Sequence, residues 1–134
     1  METDGSGLAG RRVLVAEDQF LVALELAQEL SEWGCAVLGP VASNREALKL
    51  LGPGQARPDA ALLDAELLDG RVAPVAAALA AAGVPFALLT GYDDGDLDEE
   101  PALCAAPRLG KPYGRAALRR LLDGLLVAAA RPST

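Results

Sequence analysis

The chain has 134 residues, 51% hydrophobic and only 4% aromatic, enough for one domain with an aliphatic core but no aromatic platform for stacking bases. Twelve basic against nineteen acidic residues leave a charge of −7, which repels a phosphate backbone or an anionic bilayer, so no nucleic-acid or membrane partner is expected. No run of about 18 apolar residues exists to span a membrane, and without a single His there is no His-based metal site and no Ser–His or Cys–His pair.

In chain order, residues 1–10 are polar and glycine-rich and read as a flexible tail. They lack the basic start and apolar stretch of a secretion signal, which points to a cytoplasmic protein. The glycines Gly5, Gly7 and Gly10 have dinucleotide-fingerprint spacing but precede the first strand, which is the wrong context. Arg12 to Ala16 is a short apolar run of strand length. Val22, Leu26, Leu30 and Trp33 then form a helical stripe. A weaker strand, Ala36 to Ala42, carries Pro40. Ser43 and Glu46 have capping-box spacing at the start of a helix to Leu51. The apolar run Ala60 to Leu63 is a third strand. Val72, Val75, Ala76 and Leu79 are a second stripe, and Pro85 to Leu89 a fourth strand. Tyr92 to Ala105 reads as a loop or at most a short, mobile helix, because it opens on clustered acids and contains Pro101. Its start resembles a calcium loop, but Glu99 and Ala105 stand where the turn glycine and bidentate acid belong. Ala106 to Gly110, with Pro107, is a weak fifth strand. Leu118, Leu121, Leu122, Leu125 and Ala129 mark the last helix. Cys35 and Cys104 both read as apolar-sited thiols, too few for a disulfide framework.

Strand and helix thus alternate five times, predicting an α/β fold: a five-stranded parallel sheet in a three-layer αβα arrangement. Continuous apolar runs suit strands buried on both faces. The flavodoxin-like order 2-1-3-4-5 places the two proline-bearing strands at the edges, where a missing ladder donor is tolerated. The fourth helix should be weak or disordered, and one domain should span residues 11–130.

In such sheets the ligand site lies beyond the carboxyl ends of the central strands. Glu17 and Asp18 follow strand one, Asp64 strand three, Thr90 and Gly91 strand four, and Lys111 and Pro112 strand five. Clustered carboxylates repel one another unless a hard cation lies between them, and Mg²⁺ takes such oxygens. A carboxylate can accept a phosphoryl group. A lysine and a hydroxyl can contact phosphate oxygens, and a glycine leaves room for a donor. Singly, each has a plainer reading: an acidic turn, a strand-end cap, a surface lysine. The joint placement at four strand ends overturns those readings.

The stretches Val13-Leu14-Val15-Ala16-Glu17-Asp18, Pro58-Asp59-Ala60-Ala61-Leu62-Leu63-Asp64, Leu88-Leu89-Thr90-Gly91 and Lys111-Pro112, in that order, resemble the receiver (CheY-like) domain of two-component response regulators. The resemblance covers residues of about 12 to 130. It implies that Asp64 is the phospho-acceptor. Glu17, Asp18, Asp64 and the main-chain carbonyl of Glu66 would hold Mg²⁺, Thr90 and Lys111 would contact the phosphoryl group, and the Lys111–Pro112 bond would be cis. A sensor histidine kinase or histidine phosphotransfer protein would be the donor. The chain would then be a phosphoprotein with self-catalysed transfer and dephosphorylation, not a turnover enzyme. Pro85-Phe86-Ala87-Leu88-Leu89-Thr90-Gly91-Tyr92 further resembles the FAT GUY subgroup, often stand-alone and paired with HWE or related kinases. No output domain is expected after the last helix.

Three positions depart from the common pattern. Arg108 replaces the aromatic switch residue three positions before the lysine, leaving Tyr92 as the switch candidate. Leu68 stands where many receivers have proline, and Glu66 puts a carboxylate two residues after the acceptor. The alternative is a phosphorylation-independent binding module on the same fold; a small hydrolase with an aspartyl intermediate ranks last, for want of a cap domain.

Overall fold

The structure, a computed structural model, describes residues 8–91, 97 and 100–130, with side chains as far as residue 127. Five parallel strands form the main sheet: β1 (Arg12–Ala16), β2 (Ala36–Val41), β3 (Ala60–Asp64), β6 (Phe86–Thr90) and β7 (Arg108–Gly110), in the order β2-β1-β3-β6-β7. A small antiparallel pair, β4 (Glu66–Leu67) and β5 (Gly70–Arg71), interrupts the numbering. Without that pair, the order is the expected 2-1-3-4-5. The helices are α1 (Phe20–Glu32), α2 (Asn44–Leu50), α3 (Ala73–Ala81) and α4 (Arg115–Ala130).

The strand sequences explain why the sheet is covered twice. Leu14, Ala16, Ala61, Leu63 and Leu88 face one core, which is closed by Ala47 of α2 and by Val75, Ala76 and Leu79 of α3. Val13, Val15, Ala60, Leu62, Ala87 and Leu89 face the other, closed by Leu26 and Leu30 of α1 and by Leu118, Leu122 and Leu125 of α4. Side chains alternate along a strand, so a strand buried on both faces has no polar position to spare.

Both edge strands meet proline as expected, in different ways. β2 carries Pro40 at a break in the β1 pairing: Leu14 faces Leu38, but Ala16 faces Val41. Gly39 makes this bulge with a φ of +97°, and a Cβ there would sit 2.8 Å from Val41 N and 2.9 Å from Val15 O. Glycine is required at that point. Pro107 precedes β7, and its carbonyl accepts from Leu88 N at 2.9 Å. The Gly39–Pro40 and Lys111–Pro112 bonds are both cis.

The capping box forms with its return bond one residue early, to Ala42 instead of the N-cap Ser43. Ser43 Oγ accepts from Glu46 N at 3.1 Å, and Glu46 Oε1 accepts from Ala42 N at 3.0 Å. Between β6 and β7 no regular helix is assigned among the described residues. Residues 100–106 turn through short-range bonds such as Leu103 N to Glu100 O at 2.9 Å, while Leu97 and Leu103 are buried in the first core. Most of the acidic stretch, and Tyr92 with it, lies outside the described residues.

Two readings are corrected. The tail does not extend to Gly10. Leu8 is fully buried in the second core, and Gly10 N donates to Gly34 O at 2.8 Å. The short apolar pair Leu8-Ala9 has no periodicity to reveal it. Cys35 is buried, but Cys104 is exposed. It lies in the turn after Pro101, with Sγ directed at the Pro101 carbonyl 3.7 Å away. Leu8 yields a direct check of the boundary: Leu8→Ala should lower stability by about 2–4 kcal/mol in denaturant unfolding, whereas a tail position would leave the midpoint unchanged.

Candidate functional site

Hydrophobic burial fixes the ends of β1 and β3, and with them the site. The four residues before Glu17 and the four before Asp64 are all fully buried. The next positions therefore emerge at one rim with little freedom. Glu17 N donates to Val41 O at 2.9 Å, which turns the chain out of β1. Asp64 is the last residue of β3 and pairs with Leu89 of β6. Thr90 ends β6 opposite Gly110, and its carbonyl accepts from Lys111 N at 2.7 Å. Those bonds bring the lysine back over the sheet.

Ligand oxygens of Glu17, Asp18 and Asp64 lie within 4.8 Å of one another. Lys111 Nζ stands 2.9 Å from Glu17 Oε1 and 3.3 Å from Asp64 Oδ2. The Glu17 and Asp64 side chains are 0% and 8% exposed. Among the described residues, two enclosed carboxylates and the partly exposed Asp18 thus cluster beside one ammonium, an arrangement that costs energy unless more positive charge enters. The titration of the group reflects this. Burial, then the neighbouring Glu17 carboxylate, push the Asp64 carboxyl up to about 6, against the pull of Lys111. Burial and the charge of Asp64 also raise Asp18. At Lys111 burial pulls downward, but contacts with Glu17 and Asp64 overcome it and the ammonium is held above its usual range. Partial burial, then the Glu17 carboxylate, push the Tyr113 phenol up to about 12.

The donor set fits a divalent cation. Glu17 Oε1 is buried, with the Lys111 ammonium 2.9 Å away. A buried carboxylate oxygen beside two more carboxylates, with one ammonium against them, offers the hard oxygens that Mg²⁺ takes. Glu66 adds main chain: its N–H donates to Asp64 Oδ1 at 3.4 Å. Its side chain turns away, exposed, to pair with Arg71 Nε at 3.5 Å across the β4–β5 hairpin. Gly91 is exposed, and a Cβ there would meet nothing within 4 Å, so the rim beside Thr90 is open.

The structure therefore brings together Glu17, Asp18, Asp64 and Lys111, and sets Thr90 and the Glu66 main chain on the same rim. Tyr92 lies outside the described residues. Arg108 is exposed on β7, its guanidinium donating to Cys104 O at 3.3 Å, and Leu68 is 73% exposed. The residues that sequence reasoning missed are Asn44 and Asp69. Asp69 Oδ1 accepts from Asn44 N at 2.7 Å and from Asn44 Nδ2 at 3.1 Å, and Asp69 Oδ2 accepts from Arg45 N at 3.1 Å. The partners lie 24 and 25 residues apart, beyond any local capping pattern; only the Asp69-Gly70 turn signal hinted at a hairpin.

No family model matches the sequence. The chain is 31% identical over 98 residues, 72% of its length, to the transcriptional regulatory protein PdtaR of Mycobacterium tuberculosis, and it spans about half the length of that relative, 47%. A response regulator receiver protein from Sinorhizobium medicae superimposes with a TM-score of 0.79 at 22% identity, covering 91% of this chain and 98% of the other. The receiver domain of the sensor histidine kinase PA1611 from Pseudomonas aeruginosa superimposes with a TM-score of 0.74 at 27% identity, covering 89% and 99%. Its structure holds a magnesium ion in the active-site cleft.

The raised Asp64 has a measurable consequence without metal. The folded protein keeps the Asp64 proton up to about pH 6, while the unfolded chain releases it near the ordinary 3.8. The native state binds more protons across that window, so this group's contribution falls as pH rises through it. Asp64→Asn should stabilise the metal-free protein at neutral pH by about 1–3 kcal/mol, with the difference fading towards pH ~4. Urea unfolding in the presence of a chelator checks this; equal stabilities at neutral pH would contradict it. Mg²⁺ affinity should likewise fall as pH drops below the Asp64 value, because binding displaces that proton.

Proposed function

We propose that this chain, which carries the receiver fold of two-component response regulators, is a phospho-acceptor that takes a phosphoryl group on Asp64. The carrying observation is the convergence of that carboxylate with Glu17 and Asp18, within 4.8 Å, and with Lys111 at 3.3 Å, at the carboxyl edge of a parallel sheet. The donor in this reading is a phosphohistidine on a sensor kinase or a histidine phosphotransfer protein. A carboxylate oxygen of Asp64 attacks phosphorus, the new O–P bond forms as the P–N bond breaks, and the imidazole leaves and takes up a proton.

Each residue has a part that its position supports. Burial and the strand pairing of Asp64 limit the directions from which a donor can approach. Lys111, held above its usual range, stays cationic through the transfer and can follow the charge from the carboxylate to a phosphoryl oxygen. Thr90, one residue beyond the β6 partner of Asp64, can donate its hydroxyl to another phosphoryl oxygen. Glu17, Asp18, Asp64 and the Glu66 carbonyl are the residues to hold Mg²⁺, which when bound supplies charge that offsets the negative transferring group. The protein in this reading performs its own transfer and dephosphorylation and turns over no external substrate. We assign it to the FAT GUY subgroup on the Pro85 to Tyr92 stretch, and to the cytoplasm, in keeping with its two free thiols. Among the described residues no helix is long and apolar enough to cross a membrane.

Incubation with acetyl phosphate and Mg²⁺ should add one phosphoryl group to the intact protein, released by hydroxylamine as an acyl phosphate is. Chelation or Asp64→Asn should abolish the gain, and Lys111→Ala should slow it by about 100-fold. A gain retained in Asp64→Asn would move the acceptor elsewhere. No gain in a folded protein that binds Mg²⁺ would favour a binding module that works without phosphorylation.

A further inference from the structure

The segment after Asp64 is held by a device the reaction itself does not use. The hairpin from Glu66 to Arg71 carries the N–H that reaches Asp64 Oδ1 and the carbonyl assigned to the metal. Its own pairing is slight: two residues against two, Glu66 with Arg71 and Leu67 with Gly70. A pair this short does not hold its shape in water. It is fastened instead to the start of α2. Leu68 N donates to Ala42 O at 3.0 Å. The Asp69 carboxylate accepts from the backbone N–H of both Asn44 and Arg45. Asn44 is 6% exposed, and its Nδ2 faces three acceptors: Asp69 Oδ1 at 3.1 Å, Gly70 O at 3.4 Å and Arg71 O at 3.1 Å. Its Oδ1 is buried without a partner. A carboxamide kept in place despite an orphaned oxygen is held by what its nitrogen does.

We propose that Asn44 and Asp69 are positioning residues for the metal and phosphoryl site, fixing the hairpin so that the Glu66 main chain faces Asp64. This rests on the phospho-acceptor reading. The bonds at Gly70 O and Arg71 O set one leg of the hairpin, and the Glu66–Arg71 pairing carries that setting to the other. Neither side chain is placed in contact with the metal or the phosphoryl group. Their effect is on the precision with which a main-chain oxygen and a main-chain donor are presented, a kind of support whose loss costs metal affinity about 10–100-fold.

The test is an amide NMR titration with Mg²⁺ alone, run beside hydrogen exchange of the metal-free proteins. Asp69→Ala should weaken Mg²⁺ binding about tenfold and speed exchange within residues 66–71, leaving the amides of β1 and β3 protected. Asp69→Asn keeps an oxygen for Asn44 and should recover most of the affinity. Asn44→Ala should match Asp69→Ala if it folds; the Asp69 pair decides the matter if it does not. Asp59→Ala removes a bond to Arg12 N of 2.8 Å at the opposite end of the sheet and should leave Mg²⁺ affinity alone. Wild-type affinity in Asp69→Ala, with or without faster exchange, overturns the positioning role and leaves the acceptor reading standing. Failure of the wild type itself to bind Mg²⁺ would remove that reading, and this proposal with it.

Discussion

The molecule is organised around a charge imbalance that its core forces on it. Strands buried on both faces deliver Glu17 and Asp64 to one rim with their side chains almost wholly enclosed. Asp18 joins them, and one ammonium, Lys111, stands against three carboxylates. In bulk water this would matter little. Out of water, burial first and then the neighbouring Glu17 carboxylate push the Asp64 carboxyl up to about 6. A pocket in that condition is poised for added positive charge, and a carboxylate kept from full solvation is available as an acceptor. Fold and chemistry are linked here by burial: the apolar strands that hold the sheet together are also what make the acidic rim energetically uncomfortable.

The rest of the structure controls how that rim is displayed. The Thr90–Lys111 main-chain bond seats the cation. The bulge at Gly39 lets the edge strand bend past Val15, so that Val41 O can receive Glu17 N. On the far side of the sheet, Arg115 and Arg119 lie 5.6 and 5.3 Å from the Trp33 ring, and Arg115 also pairs with Glu29 and Glu32, tying α1 to α4. Such exposed contacts contribute modestly. Their place is to keep α1 aligned, and α1 begins just beyond the acidic pair Glu17 and Asp18.

Much of this was legible in the sequence, for physical reasons that can be named. Apolar runs of strand length revealed β1, β3 and β6 because both faces of a central parallel strand are buried. Polar residues at the ends of those runs gave Glu17, Asp18, Asp64, Thr90 and Lys111 as a set. The box of Ser43 and Glu46 was readable because its bonds are local. What escaped was non-local or too short to have a period. The β4–β5 hairpin has two-residue strands. Leu8 is a single anchor before the first strand. Asp69 serves Asn44 from 25 residues away, and Cys104 looked apolar in sequence although its turn exposes it. Glu66 illustrates a different limit: its carboxylate was placed near the acceptor by spacing, but the hairpin turns it to Arg71 and leaves only its main chain at the site.

The most direct test of the central claim is an amide spectrum with Mg²⁺, before and after beryllofluoride, for the wild type and Asp64→Asn. Beryllofluoride stands in for a phosphoryl group on a carboxylate and needs no cognate donor. The account predicts Mg²⁺-dependent shifts at Asp64, Glu66, Thr90 and Lys111 in the wild type, absent from the variant. A folded wild type that shows no response, or a variant that responds equally, would contradict it.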